Sequence, residues 1–163
     1  MLSEKQIKFQ SDFLSPLKQK LFYLKDLPMG LIAGIRLIQL DESVCVTEVP
    51  FRWRNKNPFR SIYFAVQSMA AELSTAAPVL LVLKGLEANI AYIIVDLKVT
   101  FVKKAQSKIT FTCTDYGNIL DALSSLRHPD DNAEVTLKTV GRDAQGEEVA
   151  VFHFTWSFKV RSC

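Results

Sequence analysis

Cysteine is scarce in this chain and widely scattered: Cys45, Cys113 and Cys163 are the three it has. They form no CxxC pair and no Cys/His cluster, which argues against a disulfide framework or a zinc site and for a reducing compartment. Histidine is scarcer, with His128 and His153 far apart. No metal cluster, Ser-His-Asp arrangement or glycine-rich phosphate loop is visible. There is no internal repeat and no low-complexity segment. The first ten residues carry Glu4, Lys5, Gln6 and Lys8, so no apolar signal core follows a basic start. The one membrane-like run, 64–83, is interrupted by Gln67, Glu72 and Pro78, whereas a spanning helix wants ~20 largely uninterrupted apolar residues. No membrane span is expected, and a cytoplasmic location is the default. Charge is nearly balanced, with 20 basic and 17 acidic residues spread along the chain, which leaves no footprint of a nucleic-acid binder.

What is present is enough for a packed domain. The 163 residues are 48% apolar and 23% charged, so one ordinary domain can bury roughly two thirds of its unfolded surface. Residues 1–163 are expected to form it, with an N-terminal helical extension over about 1–28. In that extension Ser15 precedes Pro16 at a helix start, Leu17, Leu21 and Leu24 recur at helical spacing, and Pro28-Met29-Gly30 ends the pattern. Residues 34–40 and 44–52 read as strands joined by Asp41-Glu42-Ser43.

The central feature is the polar, basic stretch Arg54-Asn55-Lys56-Asn57-Pro58-Phe59-Arg60, which feeds a segment apolar on nearly every side. A helix is predicted from 61 to about 77, stopped by Pro78, with one carboxylate, Glu72, near its middle. Beyond it the period becomes two. Ile93, Val95, Leu97, Val99 and Phe101 are predicted on one face of a strand, and Ile109, Phe111 and Cys113 on one face of the next, the two reading as a hairpin. A short helical spacing (Ile119, Leu120, Leu123, Leu126) and a turn cluster at His128-Pro129-Asp130 follow. A second hairpin closes the chain around Gly141-Arg142-Asp143-Ala144-Gln145-Gly146. Its last strand presents Ala150, Phe152, Phe154, Trp156, Phe158 and Val160 on one face. Such a row must cover something large, and a helix apolar all round must be enclosed. The expected fold class is α+β, a curved antiparallel sheet wrapped around a long central helix.

This order of elements resembles the hotdog fold. Asn57 and Glu72 resemble the Asn and the helix Asp or Glu, fifteen residues apart, of PaaI-like hotdog thioesterases. Arg54 to Ala65 and Ala70 to Leu73 look like a subgroup of uncharacterised hotdog proteins known only as a domain of unknown function. The resemblance implies a homodimer with sites at its interface, or dimers paired into tetramers. It implies acyl-CoA or another acyl thioester as substrate, and no cofactor beyond the coenzyme A of that substrate. One departure stands out. PaaI-like enzymes have His-Gly-Gly at the helix start, where this chain has Tyr63-Phe64-Ala65, which keeps the N–H donors but not the clearance that glycine provides. Neither histidine lies in the helix motif, which argues against the hotdog dehydratases.

Hydrolysis of a thioester needs a general base or a nucleophile at the carbonyl and donors to hold the oxyanion. Glu72 suits the first and the helix start at Tyr63, Phe64 and Ala65 the second. On one helix they lie about eight residues, or ~12 Å, apart, so a working site combines Glu72 of one subunit with the helix start of another, Asn57 orienting the water or the carbonyl. Each assignment has a plainer counterpart. Glu72 pairs with a core hydroxyl or a loop arginine, Asn57-Pro58 is only a turn, and Tyr63 packs at an interface. Gln67, Ser68, Ser74 and Thr75 line a pocket or satisfy helix carbonyls. Arg52, Arg54, Lys56, Arg60, Lys103, Lys104 and Lys108 meet the phosphates of coenzyme A or form a solvated face. A non-catalytic hotdog protein that binds an acyl chain or acyl-CoA, or an assembly module, is the rival to an enzyme.

Overall fold

The computed structural model describes residues 2–161; Cys163 lies outside them. Three short helices open the chain: α1 (Glu4–Leu14), α2 (Pro16–Asp26) and α3 (Pro28–Ala33). Pro28 begins α3 rather than ending a helix, because a proline at the first helical position loses no hydrogen bond there. The strands β1 (Arg36–Leu40) and β2 (Cys45–Val49) lead through a 3-10 turn (Trp53–Asn55) to α4 (Phe64–Leu83). Then come β3 (Ile90–Phe101), β4 (Ile109–Cys113), α5 (Tyr116–Ser124), β5 (Asn132–Arg142) and β6 (Glu148–Val160). All strand pairs are antiparallel, in one curved six-stranded sheet of order β1-β2-β4-β5-β6-β3 that wraps α4.

The helix α4 runs through Pro78 for five further residues, against the expected stop. Proline inside a helix costs about 3 kcal/mol. Burying Val79, Leu81 and Val82, all at 2% exposure or less, returns roughly 1.5–3 kcal/mol each. Burial wins. The few polar groups on α4 and on the facing sheet clasp one another: Thr47 Oγ1 donates to Ala70 O (2.6 Å), Trp156 Nε1 donates to Thr75 Oγ1 (3.2 Å), and the hydroxyls of Ser74 and Thr139 hydrogen-bond each other (2.7 Å). These contacts fix the rotation of a helix whose apolar surface alone would not.

The expected β3–β4 hairpin does not form. The strand β3 pairs with β6, and β4 with β2 and β5, so the two lie on different parts of the sheet. Periodicity identifies a strand but carries no information on its partner. The predicted face of β3 is also half right. The register shifts between Ile94 and Asp96, a bulge at Val95 that reverses the alternation. Tyr92 and Ile94 therefore share the inner face with Leu97, Val99 and Phe101, opposite Phe158, Trp156, Phe154, Phe152 and Ala150, while Ile93 points outward at 65% exposure. The β5–β6 hairpin and the buried row on β6 form as expected.

The two edges of the sheet are treated differently. The N-terminal helices cover β1: Gln19 accepts from Leu37 N–H and donates to Leu37 O (3.1 Å) and Phe13 O (2.9 Å), and Gln10 donates to Leu40 O (2.6 Å). Gln6 ties α1 to Leu81 O of α4 (2.9 Å). The opposite edge, β3, has no such cover among the described residues. Cys45 and Cys113 face each other across β2 and β4, buried as free thiols, and burial pushes the Cys113 thiol up to about 11.

A Cβ at Gly141 would lie 2.5 Å from the ring of Phe111, a ring with no exposed surface. Gly141→Ala is therefore expected to destabilise the fold by about 1–3 kcal/mol, seen as a lower denaturation midpoint. An unchanged midpoint would mean that the ring shifts without cost.

Candidate functional site

The start of α4 is held by Asn55, which is buried at 1% exposure. Its Nδ2 donates to Ala33 O (2.9 Å) and Pro50 O (2.8 Å), and its carbonyl accepts from Tyr63 N–H (2.7 Å). Nothing in the sequence separates this structural asparagine from Asn57 two residues on. Asn57 is half-buried; its Oδ1 accepts from Phe59 N–H (3.0 Å) and from the N–H and hydroxyl of Ser61 (both 3.2 Å). That is the turn role, and it leaves the Asn57 side-chain NH2 without a partner among the described residues.

The helix begins uncapped. Tyr63 offers no side-chain hydrogen bond, and Phe64 and Ala65 precede the first intrahelical bond, from Val66 N–H to Tyr63 O (3.0 Å). Their N–H groups are free donors at the positive end of the helix dipole. The rings of Tyr63 and Phe64 meet edge to face at 4.9 Å and are about half exposed. A cavity of about 360 Å³ lies here, walled by Asn57, Phe64, Gln67, Phe101 and Lys104 among others. Gln67 is 4% exposed; its Nε2 donates to Ile62 O (3.0 Å), but its buried Oε1 has no partner. An orphan acceptor beside a cavity awaits a donor. Asn57, Phe64 and Gln67 are thus brought together.

Glu72 is not among them. It lies on a half-exposed stripe of α4 with Ala65, Ser68 and Met69, at the three- and four-residue spacings of one helix face. Ser68 donates to Phe64 O (2.9 Å), Ser74 to Ala71 O (2.6 Å) and Thr75 to Glu72 O (2.9 Å), so these hydroxyls satisfy helix carbonyls. The Glu72 carboxylate has no hydrogen-bond or ion-pair partner among the described residues, neither a core hydroxyl nor a loop arginine. Burial without a partner pushes its pKa up to about 7. Tyr23 of α2, 2% exposed, has an orphan hydroxyl; burial first, then the nearby Cys45 and Glu72, holds its phenol well above the usual range. No periodicity in the sequence singles it out.

Of the basic groups, Lys103 and Lys104 line the helix-start cavity, whereas Arg52, Arg54, Arg60 and Lys108 do not. Arg54 lines a different, larger cavity, and Arg60 stands exposed in a left-handed backbone conformation (φ 60°). Lys103 pairs with Asp143 (2.6 Å) and Glu147, and Lys108 with Glu48 (3.2 Å).

A curved antiparallel sheet around a long central helix is the hotdog fold, and this chain is a hotdog protein. It belongs to the family described as a domain of unknown function (DUF4442), whose profile matches residues 19–158. No curated protein matches it. Among solved structures, it is similar to a Pseudomonas aeruginosa protein of unknown function described as a probable thioesterase. The two are 20% identical with a TM-score of 0.71, over 90% of this chain and 97% of that one. A Haemophilus influenzae thioesterase is 16% identical, TM-score 0.65, over 90% and 91%. A Staphylococcus aureus thioesterase is 10% identical, TM-score 0.61, over 81% and 98%; it was solved with alanine replacing a glutamine and, separately, a glutamate fifteen positions further on. At these identities the likeness is one of fold.

Because the folded chain binds the Glu72 proton more tightly than the unfolded chain, the protonated carboxyl's contribution is fully present below about pH 4.5 and is lost as the pH rises through about 7. Glu72→Gln should be more stable than the parent above pH 7, by roughly 1–3 kcal/mol, and equal to it near pH 4.5. Denaturant melts of both proteins at pH 4.5 and 8 test this; a gap that does not change with pH would contradict it.

Proposed function

We propose that this protein is a cytoplasmic thioesterase that hydrolyses an acyl-CoA or other acyl thioester at the interface of a homodimer. The observation that carries the reading is Glu72, a half-buried carboxylate with no partner among the described residues, on the open face of the central helix, its pKa raised to about 7 by burial. A base is most effective when its pKa lies near the working pH. The fifteen-residue spacing of Asn57 and Glu72 matches that of the glutamine and glutamate replaced in the Staphylococcus aureus thioesterase.

In this reading Glu72 takes a proton from water, and the hydroxide adds to the thioester carbonyl. The N–H groups of Phe64 and Ala65 of the other subunit receive the oxyanion, and the Asn57 side-chain NH2 orients the water or the carbonyl. The C–S bond then breaks, and the thiolate leaves with the proton held by Glu72, giving a carboxylic acid and a free thiol. Ala65 and Glu72 of one chain are seven residues, roughly 10 Å, apart along α4, so one chain cannot supply both halves. The dimer is supported by β3, an uncovered twelve-residue edge that exposes Tyr92, Ile93, Val95, Leu97 and Phe101 to about half or more of their surface. Such an edge invites a second strand, and a two-fold axis would set two copies of β3 side by side; pairing of such dimers would give a tetramer. The free thiols of Cys45 and Cys113 support a reducing compartment.

A panel of acyl-CoA substrates with free thiol followed over time tests the chemistry. The parent protein should turn over at least one of them, and Glu72→Gln should be slower by roughly 10²–10⁴-fold without loss of folding. Bound acyl-CoA with no thiol released would favour the acyl-binding alternative, for which the aromatic pair Tyr63 and Phe64 at the helix start is the supporting observation.

Subunit mixing tests the shared site. Glu72→Gln and Asn57→Ala, each inactive alone, should recover about a quarter of parental activity when unfolded and refolded together, because half the dimers are mixed and each carries one intact site. Ile93→Lys should yield monomers in sedimentation and abolish turnover. Full activity in a monomer would refute the interface site.

A further inference from the structure

A cavity of about 830 Å³ lies between the N-terminal helices and the first two strands. It shares no lining residue with the helix-start cavity and does not include Glu72. Half-buried Leu14 and Leu31 and exposed Ile38 give it apolar surface, and Lys20, Arg36, Arg52, Arg54 and Lys108 bring five positive charges to it, against one carboxylate, Glu48. Glu48 is buried and already committed, Oε1 to Arg36 and Oε2 to Lys108. Lys20, Arg52 and Arg54 have no carboxylate partner among the described residues.

The geometry at Gly34 is specific. Gly34 ends α3 at φ +70°, and a Cβ there would lie 3.1 Å from an Arg54 guanidinium nitrogen and 3.9 Å from one of Arg52. Two guanidinium groups therefore converge over a residue without a side chain. Like charges so close repel, and the arrangement is favourable when an anion sits between them. The walls are held in place by Gln19, whose amide is fully used on Phe13 and Leu37. Tyr23, with its unpartnered buried hydroxyl, is a further lining residue.

We infer that this cavity is a binding site for a long-chain carboxylate, its head between Arg52 and Arg54 and its chain along Leu14, Leu31 and Ile38. Its volume lies within the range of about 300–1,000 Å³ typical of small-molecule sites. The site does not depend on the hydrolytic reading, since it uses none of the residues of α4. The ligand is a free fatty acid rather than an anionic bilayer surface, because the apolar walls belong to a cavity beneath the helices.

Calorimetry with dodecanoate below its micelle concentration tests it. One molecule should bind per chain, and the Arg52→Gln/Arg54→Gln double variant should bind at least tenfold more weakly, while Lys138→Gln, at an exposed position on β5, binds like the parent. Both arginines are exposed, so the double variant should melt like the parent. Acetate and inorganic phosphate should not bind, since they lack a chain, and dodecanol should bind more weakly than dodecanoate. Dodecanoate binding unchanged in the double variant would assign the ligand to another place and overturn the inference, as would no saturable binding by the parent. Equal binding of acetate would reduce the site to an anion patch. Binding to anionic vesicles in preference to free dodecanoate would replace the cavity with a membrane surface.

Discussion

A helix that is apolar on every side is stable in water only when every side is covered, and most of this molecule is organised around covering α4. The concave face of the sheet takes the largest share, through the row from Ala150 to Phe158 on β6 and through Thr47, Thr139 and Trp156, which bond to the helix's few polar groups. The N-terminal helices take another share: α1 is fastened to α4 by Gln6, and Tyr23 of α2 is packed near Glu72. Burial on this scale also explains why Pro78 is tolerated within α4. What remains half-covered is the stripe of Ala65, Ser68, Met69 and Glu72.

The same logic runs along the sheet. Unpaired backbone groups at an edge are a liability, and this chain meets it in two ways. At β1, glutamines from α1 and α2 take up backbone groups that a neighbouring strand would otherwise use. At β3 nothing among the described residues does so, and the bulge at Val95 turns apolar side chains to both faces. The open edge and the open helix stripe are therefore two exposed parts of one domain, and the lone carboxylate lies on the second. An unpartnered Glu72 disfavours its charged form in the folded chain, so its retention on an otherwise apolar helix calls for a reason beyond packing.

Much of the fold was legible because binary patterns report burial. The apolar run after residue 61, the alternation on β6 and the turn around Gly146 sufficed for a wrapped helix and a terminal hairpin. Three features were not legible. Strand partners depend on chain reversals that periodicity does not encode, so β3 and β4 looked like neighbours. A one-residue bulge is silent in sequence and reversed half of a strand. The glutamines that pin the N-terminal helices are ordinary polar residues until their distant carbonyl partners are known. At the candidate site, the acid and its position were readable from its isolation among apolar neighbours, whereas the structural role of Asn55 was not.

The chain by itself determined where most strands and the central helix lie, that this helix must be enclosed and that a single acid would interrupt it, because these follow from local spacing and the cost of exposing apolar surface. The tertiary structure alone decided that Glu72 has no partner among the described residues, that Gln67 keeps an unpaired oxygen beside a cavity, and that Arg52 and Arg54 approach each other over Gly34. These are facts about distance between residues remote in sequence or separated by turns, and only the closed sheet and the packed helices set those distances.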